Sequence, residues 1–89
     1  MLTASLRLTG VLDGGVEVVR SYYLAADFGE AGSGKVSIIP MSLGAPMPDD
    51  DCLDVKYEDE NAALITVVEA IKSLPGNQGL AVRTAINPG

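Results

Sequence analysis

Only one segment of this sequence has a convincing helical period, and the rest of the chain must provide a surface for it. The segment runs from Asp59 to Leu74, and its apolar residues recur every three or four positions: Leu64, Val67, Val68, Ile71 and Leu74. This spacing places them on one stripe of a helix, opposite Glu69, Lys72 and Ser73. Because a helix of about four turns is marginal alone in water, the pattern predicts a helix that packs on a sheet.

The ends of this predicted helix can be read from the sequence. Asp59 or Asn61 can cap its start by accepting a hydrogen bond from a free backbone N–H group. Glu58 and Glu60 place negative charge at the positive end of the helix dipole. The dipeptide Pro75-Gly76 is expected to stop the helix.

The first part of the chain has the period of two that is typical of strands. From Leu2 to Leu12, leucine and alanine alternate with threonine, serine and arginine. This alternation predicts a strand with one solvent-exposed face. Asp13-Gly14-Gly15 then predicts a hairpin turn to a second strand, Val16 to Ala25. Two-residue and three-residue turns give different registers, so the sequence leaves the pairing open. Valine and tyrosine on both faces of the second strand indicate cover on both sides, for example by a neighbouring subunit.

Three further strands complete the predicted fold. Lys35 to Ser42 is the third, and Pro40 either ends it or places it at an edge, because proline has no N–H to donate. The fourth is a short strand from Leu53 to Glu58, and the last runs from Leu80 to Ile86 after a turn. In the connector that follows the third strand, Met41 and Met47 are expected to fill gaps in the core, the alternative being that they line an adaptable contact surface.

The order β-β-β-β-α-β predicts an α+β fold, with an antiparallel sheet of four or five strands and one amphipathic helix packed on a face. The alternative is that the first three strands curl into a partial barrel with the helix as its plug. At 89 residues the chain is expected to form a single domain, residues 1–89.

Composition limits the partners that this chain can have. A hydrophobic share of 47% is high for a small domain, so some apolar side chains should lie at an interface, and we expect a homo-oligomer. The net charge is −6, with 12 acidic residues and 6 scattered basic ones, so nucleic acids and anionic membranes are not expected as direct partners. Without a signal peptide pattern or a long apolar run, a soluble cytoplasmic protein is expected.

Gly29 to Lys35 matches the phosphate-binding pattern G-x-x-x-x-G-K, whose backbone N–H groups cradle phosphates. Two features argue against that function. The next residue is Val36, where the pattern needs serine or threonine to hold magnesium, and the following residues predict a strand rather than the required helix. The segment is therefore interpreted as a loop between strands, and no cofactor is expected.

The densest charge in the chain is a run of acidic residues before and at the start of the helix. Its members are Asp49, Asp50, Asp51, Asp54, Glu58, Asp59 and Glu60. Counted from Asp49, Asp51 and Glu60 match the third and twelfth positions of a calcium-binding loop, but Leu53 and Asp54 occupy the fifth and sixth, where an oxygen ligand and a glycine are needed. We interpret the run as a solvated turn and, in functional terms, as a candidate partner-binding surface, with no metal site assigned.

Three classes of function are compatible with the sequence. The chain has no histidine, so an enzyme would need carboxylates, Lys35, or Tyr22, Tyr23 and Tyr57 as acid or base, and no spacing nominates a catalytic pair. The principal prediction is a small acidic, non-enzymatic interaction or assembly protein that forms a homo-oligomer. One alternative is an acidic decoy that occupies the phosphate-binding surface of a nucleic-acid-handling protein. The other is a small-ligand-binding protein or enzyme with its site between helix and sheet.

Overall fold

The computed structural model describes residues 2–12, 14–28, 33–56 and 60–88. In chain order the elements are β1 (Leu2–Leu12), β2 (Val16–Phe28), β3 (Ser33–Pro40), β4 (Cys52–Lys56), α1 (Glu60–Lys72) and β5 (Ala81–Pro88). The strands form one antiparallel sheet in the order β4-β3-β2-β1-β5. The predicted α+β fold and element order are confirmed. Within the described residues β4 and β5 are the outer strands of this sheet.

The register of β1 and β2 decides which face each side chain occupies. Leu12 pairs with Val16 across three intervening residues, and Gly14 and Gly15 have φ angles of 89° and 77°, which glycine adopts without the steric cost of a Cβ atom. Even-numbered residues of β1, β2, β3 and β5 therefore share one face, which we call the inner face. Odd-numbered residues of these strands lie on the outer face. The parity is reversed in β4, since Val36 pairs with Leu53.

The helix α1 packs its apolar stripe on the inner face, as the sequence predicts. Leu64, Val67 and Ile71 are fully buried in one cluster with the even-numbered residues of β1 and β2. Burying each such side chain contributes about 1.5–3 kcal/mol, so these contacts hold a helix that would not persist alone. Val68 and Leu74 are partly buried against the same cluster. In the described chain α1 has 13 residues, and no described helix is long and apolar enough to cross a membrane.

Some element boundaries differ from the prediction. The strand β2 continues three residues past Ala25, because Ala26 is fully buried and pairs with residues of both β1 and β3. The helix begins at Glu60, so Asn61 lies in its first turn and is not the cap. The other candidate cap, Asp59, lies outside the described residues.

The strand β3 runs from Ser33 to Pro40 rather than from Lys35 to Ser42, so of the two roles considered for Pro40 it has that of the strand end, and its position explains why proline is tolerated there. Ile38, two residues earlier, donates its N–H to the carbonyl of Asp51 at 2.7 Å, on the side of β4. Backbone directions alternate along a strand, so the missing N–H of Pro40 also points to that side. The strand β4 begins opposite Ser37, so the sheet loses no ladder hydrogen bond at Pro40.

A buried polar cluster joins the sheet, the connector and the end of the helix. The Tyr22 hydroxyl donates to the carbonyl oxygen of Pro46 at 2.5 Å. It accepts a hydrogen bond from Asn77 Nδ2 at 3.0 Å, and the same Nδ2 donates to the carbonyl of Ile71 at 3.1 Å. Asn77 is fully buried and satisfies one of the last carbonyls of α1, which have no partner within the helix. The cluster fixes three separate segments relative to one another.

Candidate functional site

The predicted acidic surface is divided in the structure. Asp49, Asp50 and Asp51 are exposed in the connector before β4, and the Asp50 carboxylate accepts a hydrogen bond from the N–H of Cys52 at 3.1 Å. Asp54 lies on the outer face of β4, where its carboxylate is 3.7 Å from the Lys35 ammonium group. Both partners are largely exposed, so the ion pair contributes little to stability.

The remaining acidic residues are only partly described. Glu58 and Asp59 lie outside the described residues, and Glu60 is the first residue of α1. No group of three or more acidic or cysteine side chains within the described ranges is placed to hold a metal ion. The exposed connector aspartates are compatible with a partner-binding surface, but the described part of the acidic run does not converge on one site.

The segment that matched the phosphate-binding pattern leads into a strand. Lys35 lies in β3, opposite Asp27 and Asp54, whereas the phosphate motif requires a helix at this point. Residues 29–32 lie outside the described ranges. Lys35, Lys56 and their neighbours line an open depression of about 580 Å³ at the end of these strands.

A second depression, of about 490 Å³, lies beside β1 and the turn before β5, where it is lined by Val11, Leu12, Gln78 and Gly79. No residue of α1 lines either depression, so neither lies between the helix and the sheet, the position expected for a ligand site in one of the alternatives.

The hairpin of β1 and β2 projects beyond the rest of the sheet. Pairing of β2 with β3 stops at Tyr22, and pairing of β1 with β5 stops at Thr9. Residues 10–12 and 16–20 therefore form a two-stranded arm on a molecule of 47 × 24 × 20 Å. At its base, Leu80 covers Gly10 so closely that a Cβ atom there would stand 2.7 Å from Leu80 Cδ2. Beyond Gly10, Leu12 and Val18 on the inner face are only partly buried against the core.

Exposed apolar side chains are concentrated around this arm. The described chain has seven exposed large hydrophobic residues. Six of them form what we call the apolar end: Val11, Val16, Val19, Ile39, Met41 and Leu43. The last three belong to the end of β3 and the connector, which reach β2 through the 2.7 Å hydrogen bond from the N–H of Met41 to the carbonyl of Ser21. The seventh, Ile65, lies on α1.

The two methionines of the connector have different surroundings. Met47 packs against the core as predicted. Met41 is 66% exposed, so the prediction that it fills a gap in the core is wrong. Its backbone N–H is bonded to Ser21 of β2, and its exposed side chain adds to the apolar end.

The arm also has an open backbone edge. At Ser21, the N–H donates to Ser42 Oγ at 2.9 Å and the carbonyl accepts from Met41, so both groups point away from β1. Backbone groups alternate in direction along a strand, so those of Glu17 and Val19 point the same way. Within the described ranges no strand pairs with β2 at that level. Such an edge is a template for pairing with another chain.

The outer face of the sheet has a basic centre. Arg7 of β1 and Arg83 of β5 are directly opposite each other, and both are exposed. Their neighbours on this face are small or hydroxyl-bearing: Ser5, Thr9, Ser21, Ala81 and Ala85. The register assigns four of the chain's six basic residues to this face, Arg7, Lys35, Lys56 and Arg83, against three described acidic residues, Glu17, Asp27 and Asp54.

Comparisons of the chain with protein-family models, with curated proteins and with solved structures give no match. The function is therefore inferred from the surfaces described above.

Proposed function

We propose that this protein is a non-enzymatic assembly protein that forms a homodimer through its apolar end. The observation that carries the proposal is the concentration of six of the seven exposed large hydrophobic residues around the projecting arm. By the register, Val16 lies on the inner face and Val11, Val19 and Ile39 lie on the outer face. Exposed apolar side chains grouped at one end of a folded protein favour an interaction site there. Each Å² of this surface that a partner removes from water contributes about 25 cal/mol.

The charges at the apolar end support a second copy as the partner. Its described strand residues carry one acidic and one basic side chain, Glu17 and Arg20. The described strand residues of two copies that meet there therefore oppose no net charge, although the whole chain carries −6. A two-fold dimer also uses the same patch on both subunits, so a single self-complementary surface is sufficient.

The open edge of β2 adds polar groups to this interface. The N–H and carbonyl groups of Glu17 and Val19 are directed away from β1, and extended backbone from a partner can form hydrogen bonds with them. These bonds give a directional contribution beside the apolar contacts. The arm therefore offers a partner both apolar contact area and directional backbone hydrogen bonds.

The test is the solution mass of the wild-type chain and two matched variants, measured by size-exclusion chromatography with light scattering. Leu43→Asp changes a side chain that is 100% exposed at the apolar end, and Ile65→Asp changes one that is 58% exposed on α1. Both add the same charge at a position with little burial. We expect a wild-type dimer, at least tenfold weaker association in Leu43→Asp, and little change in Ile65→Asp.

Two results would contradict the proposal. One is a wild-type chain that stays monomeric up to about 1 mM, where association is worth less than about 4 kcal/mol. The other is equal weakening by both variants, which would place the effect in charge rather than in the apolar end. Repeating the measurement in about 1 M salt separates these causes, because apolar contacts persist there while surface charges are screened.

A further inference from the structure

We infer a second binding surface on the opposite side of the sheet from the helix: the Arg7–Arg83 pair of the outer face binds carboxylates of an acidic segment from another protein. This inference does not depend on dimerisation, because the two arginines belong to the part of the sheet where β1 and β5 pair, below the arm.

The register itself brings the two guanidinium groups together. Residues directly opposite in an antiparallel pair have Cβ atoms about 4.5–5.5 Å apart, and like charges at such positions repel. Neither arginine forms an ion pair with a described carboxylate, since the ion pair of the described chain joins Lys35 and Asp54 at the far end of the sheet. A bound anion would remove this repulsion.

The chemistry around the pair suits a carboxylate. Each guanidinium presents a planar fork of N–H donors that can bind a carboxylate with two parallel hydrogen bonds. Ser5, Thr9 and Ser21 lie beside Arg7 on the same face, and their hydroxyl groups can donate further hydrogen bonds. The alanines Ala81 and Ala85 flank Arg83 and leave room for an extended segment to lie on the sheet.

The charge distribution favours an acidic peptide over a nucleic acid. A phosphate backbone needs a stripe of basic residues, whereas this basic centre is two residues wide and has Glu17 beyond one end and Asp27 with Asp54 beyond the other. The chain as a whole is also strongly acidic, at −6. A short acidic segment fits this surface, whereas a polyanion long enough to reach Glu17 or Asp27 would be repelled by them.

The experiment is a fluorescence-anisotropy titration of labelled hexaglutamate at low salt with the full-length chain. We expect saturable binding that Arg7→Gln and Arg83→Gln each weaken by roughly three- to tenfold. Arg20→Gln is the matched control, because it removes the same charge from the inner face, where Arg20 Nη1 contacts the carbonyl of Gly44 at 3.5 Å. This control should bind hexaglutamate like the wild type.

Each other outcome overturns the inference. If hexaglutamate does not bind saturably, the proposed site does not exist. If Arg20→Gln weakens binding as much as Arg7→Gln and Arg83→Gln do, the effect comes from net charge rather than from the arginine pair. Tighter binding of a labelled six-residue oligothymidylate would assign the surface to phosphates instead. The Leu43→Asp variant should bind hexaglutamate normally, so failure of the proposed dimer and failure of this site are distinguishable.

Discussion

The strand β2 passes through two regions that differ in their neighbours rather than in their own sequence. In the covered region Tyr22 is 1% exposed, and Leu24 and Ala26 are fully buried. In the arm, Val16 on the same face is 58% exposed, Val18 is only partly buried, and Val19 on the outer face is 44% exposed. The strand is rich in apolar residues throughout, so burial here is decided by how far β3, β5 and α1 extend beside it.

The two regions also differ in how their polar groups are satisfied. In the covered region, Asn77 and Tyr22 bind each other and the carbonyl groups of the helix end and the connector. In the arm, the outward backbone groups of Glu17 and Val19 have no described strand beside them. The covered region satisfies these groups within one chain, although the buried Asn77 Oδ1 has no hydrogen-bond partner, and the arm is the part that a partner would complete.

The largest expected effect tests the packing of the covered region. Leu64→Ala removes a fully buried side chain and should lower the free energy of unfolding by about 2–5 kcal/mol, through lost burial and a cavity. The neighbouring change Ile65→Ala affects an exposed side chain and should stay within about 0.5 kcal/mol. Urea unfolding measures the free energy of unfolding of both variants. Equal decreases would mean that α1 does not pack on the sheet through this stripe.

An isosteric pair compares the two regions directly. Val36→Thr places a hydroxyl group at a fully buried position and should cost about 1–3 kcal/mol in unfolding free energy. Val19→Thr makes the same change at an exposed position of the arm and should cost less than about 0.5 kcal/mol. Thermal or urea unfolding at low protein concentration provides the comparison. A costly Val19→Thr would show that the arm is already covered within the monomer.

The polar cluster predicts a somewhat smaller effect. Tyr22→Phe deletes the hydroxyl that links Pro46 and Asn77 and should destabilise the chain by about 0.5–1.5 kcal/mol, the usual net value of a hydrogen bond. Tyr23→Phe serves as control, because the half-buried Tyr23 on the outer face has no described hydrogen bond from its side chain. Equal values for the two variants, measured by chemical denaturation, would remove the proposed role of the cluster.

The smallest effect concerns the outer face. Arg83→Thr relieves the repulsion between directly opposed arginines and should raise the free energy of unfolding by about 0.2–0.5 kcal/mol at low ionic strength. The gain should shrink in about 1 M salt, where the Debye length is about 3 Å. Arg20→Thr should bring no such gain, since Arg20 faces Leu8 rather than another charge. A gain that persists in high salt would point to strand propensity as its cause.

The parts of the fold that depend on local patterns could be predicted from sequence. The bounds of β1 follow from an alternation over residues 2–9 and from the glycine-rich turn after Leu12, and the buried stripe of α1 follows from its three- and four-residue spacing. Asn77 could not be predicted, because PGNQG has the composition of an ordinary turn and the partner of Asn77, Tyr22, lies far away in sequence.

The candidate binding surfaces could be predicted from the sequence only in part. The exposure of Asp49 to Asp51 was expected from composition. The exposure of the arm was not, because a buried valine and an exposed one in a strand have the same local pattern, and only the lengths of non-local neighbours distinguish them. Likewise, Arg7 and Arg83 become neighbours only through the pairing of β1 with β5.

The pairing of β1 with β5 also means that the sheet cannot be completed until the end of the chain has been synthesised. Leu2 lies opposite Pro88, so the first and last strands meet across nearly the whole chain, whereas β1, β2 and β3 pair through short connections. At a synthesis rate of about 5–20 residues per second, β5 follows β1 by roughly 4–14 s. During that interval the edge of β1 that β5 later covers is open to other chains. The long-range closure is therefore the step at which a nascent chain is most exposed to aggregation.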